Sequence, residues 1–259
     1  IIDSRFLTID SWRAVFLAIP LILIMAMGQM MVIICRHVDI SIGSILAFAA
    51  ITIGFVFIHY PETSLLIALL ITASVGTVMG LVNGIIVTRF NVHSIIVTLG
   101  TLSLYRGLVF IVSGGRQIDR NDIPVHIISF SQTSFLFSIP AILILSVIIV
   151  LITHLIMRHS VLGREIYATG SNPEAAHLKG INVTKVTLFC FGVCGMLAGV
   201  AGLFYASRFG YVNPGVTGVG IEFIVIAGVI IGGTSITGGS GSVLGTFLGI
   251  LLLGIINVA

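Results

Sequence analysis

The sequence predicts an all-α bundle of membrane-spanning helices, and three observations carry that prediction. Hydrophobic residues fill 57% of the 259 positions and charged residues only 8%, where a soluble domain carries roughly 25% charge. The apolar residues gather into runs close to the roughly 20 residues that a helix needs to cross a bilayer. Between two of those runs lies one long polar stretch, 158–185, reading RHSVLGREIYATGSNPEAAHLKGINVTK. A single transmembrane domain over 1–259 with about eight spans is expected, the last of them in a glycine-rich broken hairpin near the C-terminus.

Residues 1–11 are mixed and lead through Trp12 into a first span at 13–34, interrupted only by Pro20 and Gln29. The segment 35–44, CRHVDISIGS, breaks the run, and 45–59 makes a second, short span before a tight turn at 60–63. A third span, 64–87, sets Gly76, Gly80 and Gly84 four apart, which clears one helix face for close approach of a neighbour. After a polar turn at 88–94, the fourth span covers 95–113 with Arg106 inside it, and 114–138 is expected as a second aqueous loop. The fifth span covers 139–157; the sixth, 186–206, again carries glycines, at Gly192, Gly195, Gly199 and Gly202. A polar loop follows at 208–222, then an apolar half-span at 223–231, the stretch GGTSITGGSGS at 232–242, and an apolar run at 243–258. Irregular backbone at membrane depth has to be covered by protein or line a wet cavity.

In 158–185 the bases Arg158, Arg164, Lys179 and Lys185 outnumber the acids Glu165 and Glu174, which argues for the cytoplasmic side. Counting spans outward from there places 35–44, 88–94 and 232–242 inside and 60–63, 114–138 and 208–222 outside, with Arg36 and Arg89 on the inner side. Within the loop, Asn172-Pro173-Glu174-Ala175-Ala176 reads as a helix start. Asn172 caps free N–H groups, Pro173 suits the first helical position and Glu174 favours the positive dipole end. Gly180 then ends the helix. Such a short helix suits docking to a soluble partner, with Ala175 and Ala176 small enough to seat in a cleft, and equally suits a solvated connector.

The formal charge of +3 comes from loop bases rather than a basic patch, so nothing points to nucleic acid. Cys35, Cys190 and Cys194 are an odd set, two of them in one apolar run, and packing is their expected role. The run Gly238-Gly239-Ser240-Gly241-Ser242 lacks the lysine of a phosphate loop, so any ATP would be bound by another subunit. The seven histidines are scattered without metal-ligand spacing, and neither a catalytic residue nor a metal is expected. Asp39 and Arg106 are the two charges of interest, because an ionisable group in a span usually faces protein or a wet path. Each has a structural alternative: Asp39 can cap a helix beginning near Ser41, and Arg106 can brace backbone carbonyls.

Three motifs carry a resemblance over nearly the whole chain. The first is Val38-Asp39-Ile40-Ser41-Ile42-Gly43-Ser44; the second is Thr98-Leu99-Gly100-Thr101 with Tyr105-Arg106-Gly107. The third runs from Gly163-Arg164 through Tyr167–Ala176 to Gly180-Ile181, with Ile231–Ser235 and Gly238–Gly241 beyond it. Together they closely resemble the permease subunits of bacterial ABC importers for monosaccharides, the ribose, rhamnose and autoinducer-2 group. Arg36 and His37 stand where that family usually has glycines. The resemblance implies an inner-membrane permease without a cofactor of its own, with ATP and Mg in cytoplasmic ATPase subunits. It further implies a second permease subunit, identical or paralogous, and a periplasmic substrate-binding protein. The coupling segment would comprise Gly163, Arg164, Asn172, Pro173, Glu174, Ala175, Ala176 and Gly180, and Asp39, Ser41, Thr98 and Arg106 are candidates for the translocation path or its frame. Family members usually have about ten spans, so this chain is expected to be trimmed at both ends. A self-sufficient secondary transporter is the alternative; it should show coupling-ion carboxylates or paired half-helices, for which Asp39 alone is thin support.

Overall fold

The computed structural model describes residues 9–132, 134–135 and 139–258; of the lead-in at 1–11, residues 1–8 lie outside the described residues. In chain order the helices are α1 (Ile9–Ile34), α2 (Ile42–His59), α3 (Leu65–Phe90), α4 (Ser94–Ser113), α5 (Val125–Gln132) and α6 (Ala141–His159). They continue with α7 (Val161–Ser171), α8 (Pro173–Leu178), α9 (Val183–Phe209), α10 (Ile221–Ile231) and α11 (Val243–Val258). Among the described residues, α2, α3, α4, α6 and α9 are long and apolar enough to cross a membrane, and Ile19–Ile34, Ile221–Ile231 and Val243–Ile256 are shorter apolar helices.

Burial sorts these helices into a centre and a periphery. The second half of α1 and nearly all of α9 are enclosed, as is the first half of α2, whereas α3, α4 and α6 turn residues such as Leu66, Leu70, Ile96, Leu104 and Leu155 outward. Apolar residues on all sides suit a helix enclosed by others, and an outward apolar face suits lipid.

The glycine spacing in α3 meets its counterpart on α9, the most extensive helix pair among the described residues. A Cβ at Gly76 would run into the Gly195 carbonyl, one at Gly80 into the Phe191 carbonyl, and one at Gly195 into the Gly76 carbonyl. Backbones this close rest on van der Waals contact that only glycine permits. Gly195→Leu is therefore expected to reduce the protein accumulating in membranes severalfold, while Gly100→Leu, where a Cβ would meet nothing within 4 Å, leaves it unchanged. Immunoblots of membrane fractions check this, and equal levels for the two variants would refute the packing.

The segment expected as an aqueous loop at 114–138 is partly structural. It holds a 3-10 turn at Arg120–Asp122, the helix α5 and a two-residue antiparallel pairing of Ser134–Phe135 with Ile139–Pro140. Ile127 and Ile128 are buried. Ser131 Oγ donates to the Ser207 carbonyl at 2.9 Å, and Ser207 Oγ donates to the Ile127 carbonyl at 2.5 Å, so α5 lies over the end of α9. Its apolar stretch is too short to be seen as a span, yet long enough to cover a helix end. A bridge between Ile118 and Val212 fastens the same region to the connection after α9.

Candidate functional site

The polar stretch 158–185 folds into two helices, where one was expected. Ser160 Oγ accepts from the Gly163 N–H at 2.9 Å and opens α7. Gly163 is buried with its Cα against the carbonyls of Ile156 and Met157, so the chain can turn sharply from α6 into α7. Gly163, Ile166, Thr169 and Gly170 form the buried face of α7, and Arg164 lies exposed on the other.

The caps of α8 fall where the spacing predicts. Asn172 Oδ1 accepts from the Ala175 N–H at 3.0 Å, with Pro173 in the first turn. At the other end the Ile181 N–H reaches the Ala176 carbonyl at 3.1 Å and the Gly180 N–H reaches His177 at 2.9 Å, with Gly180 at φ +84°. Those two bonds are a Schellman closure. Glu174 and Ala175 are exposed, but Ala176 is buried, so its small size serves this chain's own packing. Leu178 projects at the tip, 87% exposed. Sequence reasoning missed it, although a leucine between His177 and Lys179 was a visible signal.

The C-terminal end of α7 is fastened to two other segments. Arg36 donates from Nε to the Gly170 carbonyl at 2.6 Å and from an Nη to the Ser171 carbonyl at 2.5 Å. These are the last carbonyls of α7, the negative end of its dipole. The Gly239 N–H donates to the Ile34 carbonyl at 2.9 Å, and the Tyr167 hydroxyl donates to the Gly241 carbonyl at 2.9 Å. At Gly170, an added Cβ would meet the Ile34 carbonyl and, at 2.7 Å, the Gly239 nitrogen. The end of α1, the end of α7 and the 232–242 turn thus form one backbone junction. Burial first, and then the nearby His93, push the His37 imidazole down to about 4, so it is neutral at pH 7 and Arg36 supplies the junction's positive charge.

Asp39, Ser41 and Thr98 come together around the linker 35–41; Arg106 does not join them. Asp39 Oδ1 accepts from the Ser41 N–H at 2.9 Å and the Ser41 hydroxyl at 2.7 Å, the capping arrangement that starts α2. Asn83 Nδ2 donates to Ser41 Oγ at 2.8 Å and to Asp39 Oδ2 at 3.3 Å. The Gln29 amide, turned to satisfy both partners, brackets the Asp39 backbone N–H and carbonyl at 3.2 Å each. Thr98 Oγ1 donates to the Ser94 carbonyl at 2.9 Å and the Val38 carbonyl at 3.3 Å. Tyr105 closes the network, its hydroxyl shared between the Met79 carbonyl at 2.9 Å and Asn83 Oδ1 at 3.2 Å. From Asp39 to Ser41 the linker is buried, and its polar groups are paired in this way, as buried irregular backbone requires. Half-buried Arg106 instead donates to the Thr217 carbonyl at 2.6 Å.

Comparison with known proteins agrees with the resemblance. Residues 13–259 match the family model described as "Branched-chain amino acid transport system / permease component". The autoinducer 2 import system permease protein LsrC of Yersinia pseudotuberculosis serotype O:3 (strain YPIII) is 35% identical over 253 residues, covering 98% of this chain and 70% of the relative. The protein of the same name from Yersinia pestis (strain Pestoides F) shows the same identity and coverage. No solved structure matches the chain. Such permeases are multi-pass proteins of the bacterial inner membrane, in keeping with the apolar helices found here. The chain belongs to the family of transport-system permease components, membrane-spanning subunits of ABC importers, and is a transport subunit rather than an enzyme.

Proposed function

We propose that this permease forms the membrane path for a small polyhydroxylated solute, autoinducer-2, ribose or rhamnose, and that α7 and α8 receive a cytoplasmic ATPase subunit in which ATP and Mg reside. The observation that carries the docking role is α8 itself: a capped helix outside the apolar bundle, tipped by exposed Leu178 and held by α7 to the Arg36 junction. Gly163, Arg164, Asn172, Pro173, Glu174, Ala175 and Gly180 shape or flank that docking surface, with Ala176 holding it from within. The 35–41 linker with Asp39, Ser41 and Thr98 is the frame that links the junction to α2. A second permease subunit and a periplasmic binding protein complete the importer, and the eight apolar segments act as spans with α10 and α11 as a broken hairpin. The name of the relatives supports autoinducer-2, and the motif resemblance supports ribose and rhamnose. The test is uptake by vesicles holding this chain, its ATPase and its binding protein. ATP-dependent accumulation of one of the three solutes is expected; accumulation driven by an ion gradient without ATP would contradict the reading.

Sidedness is tested separately. The native cysteines are buried, so Ser171→Cys and Asn121→Cys can be labelled individually. Only Asn121→Cys should react with an impermeant reagent from outside intact cells. Outside labelling of Ser171→Cys would reverse the orientation.

A further inference from the structure

The α10 helix has 11 residues, a rise of about 16 Å and therefore roughly half of a ~30 Å hydrocarbon core. Its C-terminal end enters the 232–242 turn bonded to Ile34; with that turn at the inner face, as the charge count expects, its N-terminus stands near mid-depth. There it meets the N-terminus of α2. The Gly43 Cα lies against Glu222 Oε2 and the Gly218 carbonyl, and the Gly218 Cα lies against the Gly43 carbonyl. Two helix N-termini, each with free N–H groups and partial positive charge, converge on one point.

Glu222 sits at that point, 6% exposed. Its Oε1 accepts from the Gly220 N–H at 3.2 Å, while Oε2 is buried without a partner. A buried acceptor without a donor is costly, and in a native structure it calls for an explanation. Arg106 reaches the same turn from α4, donating to the carbonyl of Thr217, the residue before Gly218; that bond uses one of its five N–H groups. The turn therefore holds a buried carboxylate oxygen without a donor and, at Thr217, a guanidinium with further donors.

We propose that Glu222 and Arg106 bind the hydroxyl groups of a neutral polyhydroxylated solute at mid-membrane, in the gap that opens when the Gly43–Gly218 contact parts. A hydroxyl both donates and accepts, so neighbouring hydroxyls satisfy the carboxylate and the guanidinium together. The converging positive helix ends and Arg106 disfavour a cation in this position, and Glu222 disfavours an anionic solute. The inference rests on the reading of this chain as a solute permease.

The experiment uses the reconstituted complex with its ATPase and binding protein and radiolabelled D-ribose, L-rhamnose and autoinducer-2. Wild-type uptake of one probe establishes the solute reading; uptake of none of them overturns that reading and this inference with it. Given wild-type uptake, Glu222→Gln, which keeps the shape and removes the charge, should lower uptake of that probe at least tenfold with a raised KM, and Arg106→Gln should act in the same direction. The complex should be recovered at the wild-type level. Uptake by Glu222→Gln within twofold of wild type overturns the site alone. Should Glu222→Gln fail to accumulate, Val219→Cys decides, since Val219 is 59% exposed in the same turn. Slower labelling by a small neutral thiol reagent in the presence of the transported solute supports the site, and an unchanged rate overturns it.

Discussion

Leu178→Asp is expected to abolish ATP-driven uptake and to lose the ATPase subunit from the purified complex while the permease still accumulates in the membrane. Leu178 is 87% exposed, so the folded chain gains almost nothing from it. An exposed leucine that becomes buried against a partner contributes about 1.5–3 kcal/mol, and aspartate would lose that and add the cost of desolvating a charge. About 3 kcal/mol is roughly a hundredfold in dissociation constant. Glu174→Arg, on the exposed side of the same helix, is worth less, because a surface charge pair contributes about 0–1 kcal/mol. The ranking is checked by ATPase recovery on affinity-purified permease, with Leu178→Asp well below Glu174→Arg. Ala176→Trp would instead disturb this chain's own packing, since Ala176 is buried.

Gly170→Val is expected to prevent stable accumulation altogether. Its side chain would collide with the Ile34 carbonyl and the Gly239 nitrogen, both backbone atoms, and overpacking typically costs about 1–3 kcal/mol, with backbone that has no room to move at the upper end. Arg36→Gly makes the informative contrast. Arg36 adopts φ +69°, a left-handed conformation that costs a non-glycine residue about 1–3 kcal/mol, so glycine relieves strain while removing the two bonds to α7. The gain and the loss offset each other in stability. Accumulation should stay near wild type while solute moved per ATP hydrolysed falls, because α7 then slides against α1 instead of carrying it. Membrane levels measured beside the uptake-to-hydrolysis ratio separate the two variants.

The sequence announced α8 through Asn172, Pro173, Glu174 and Gly180, because caps are local chemistry written within a few residues. It announced the close-packed face of α3 through Gly76, Gly80 and Gly84. That the partner is α9 was not legible, since spacing shows that a face is clear and not what fills it. The α7 helix went unseen because Gly163, Thr169 and Gly170 are weak helix formers whose presence reflects backbone contacts made far away in sequence. Arg36 was visible as a departure from the usual glycines, yet its bonds to Gly170 and Ser171 span more than a hundred residues. The sequence places Glu222 at the end of a polar loop; its burial in the first turn of α10 depends on the contact with Gly43, far away in sequence.

Site-directed cross-linking from the tip of α8 tests the docking account most directly. Leu178→Cys, carrying a short thiol-reactive photo-cross-linker in the assembled importer, should capture the ATPase subunit, and Asn121→Cys, exposed on the 3-10 turn, should not. A cross-link to the ATPase from Asn121→Cys and none from Leu178→Cys would show that the α7–α8 end is not where the ATPase binds.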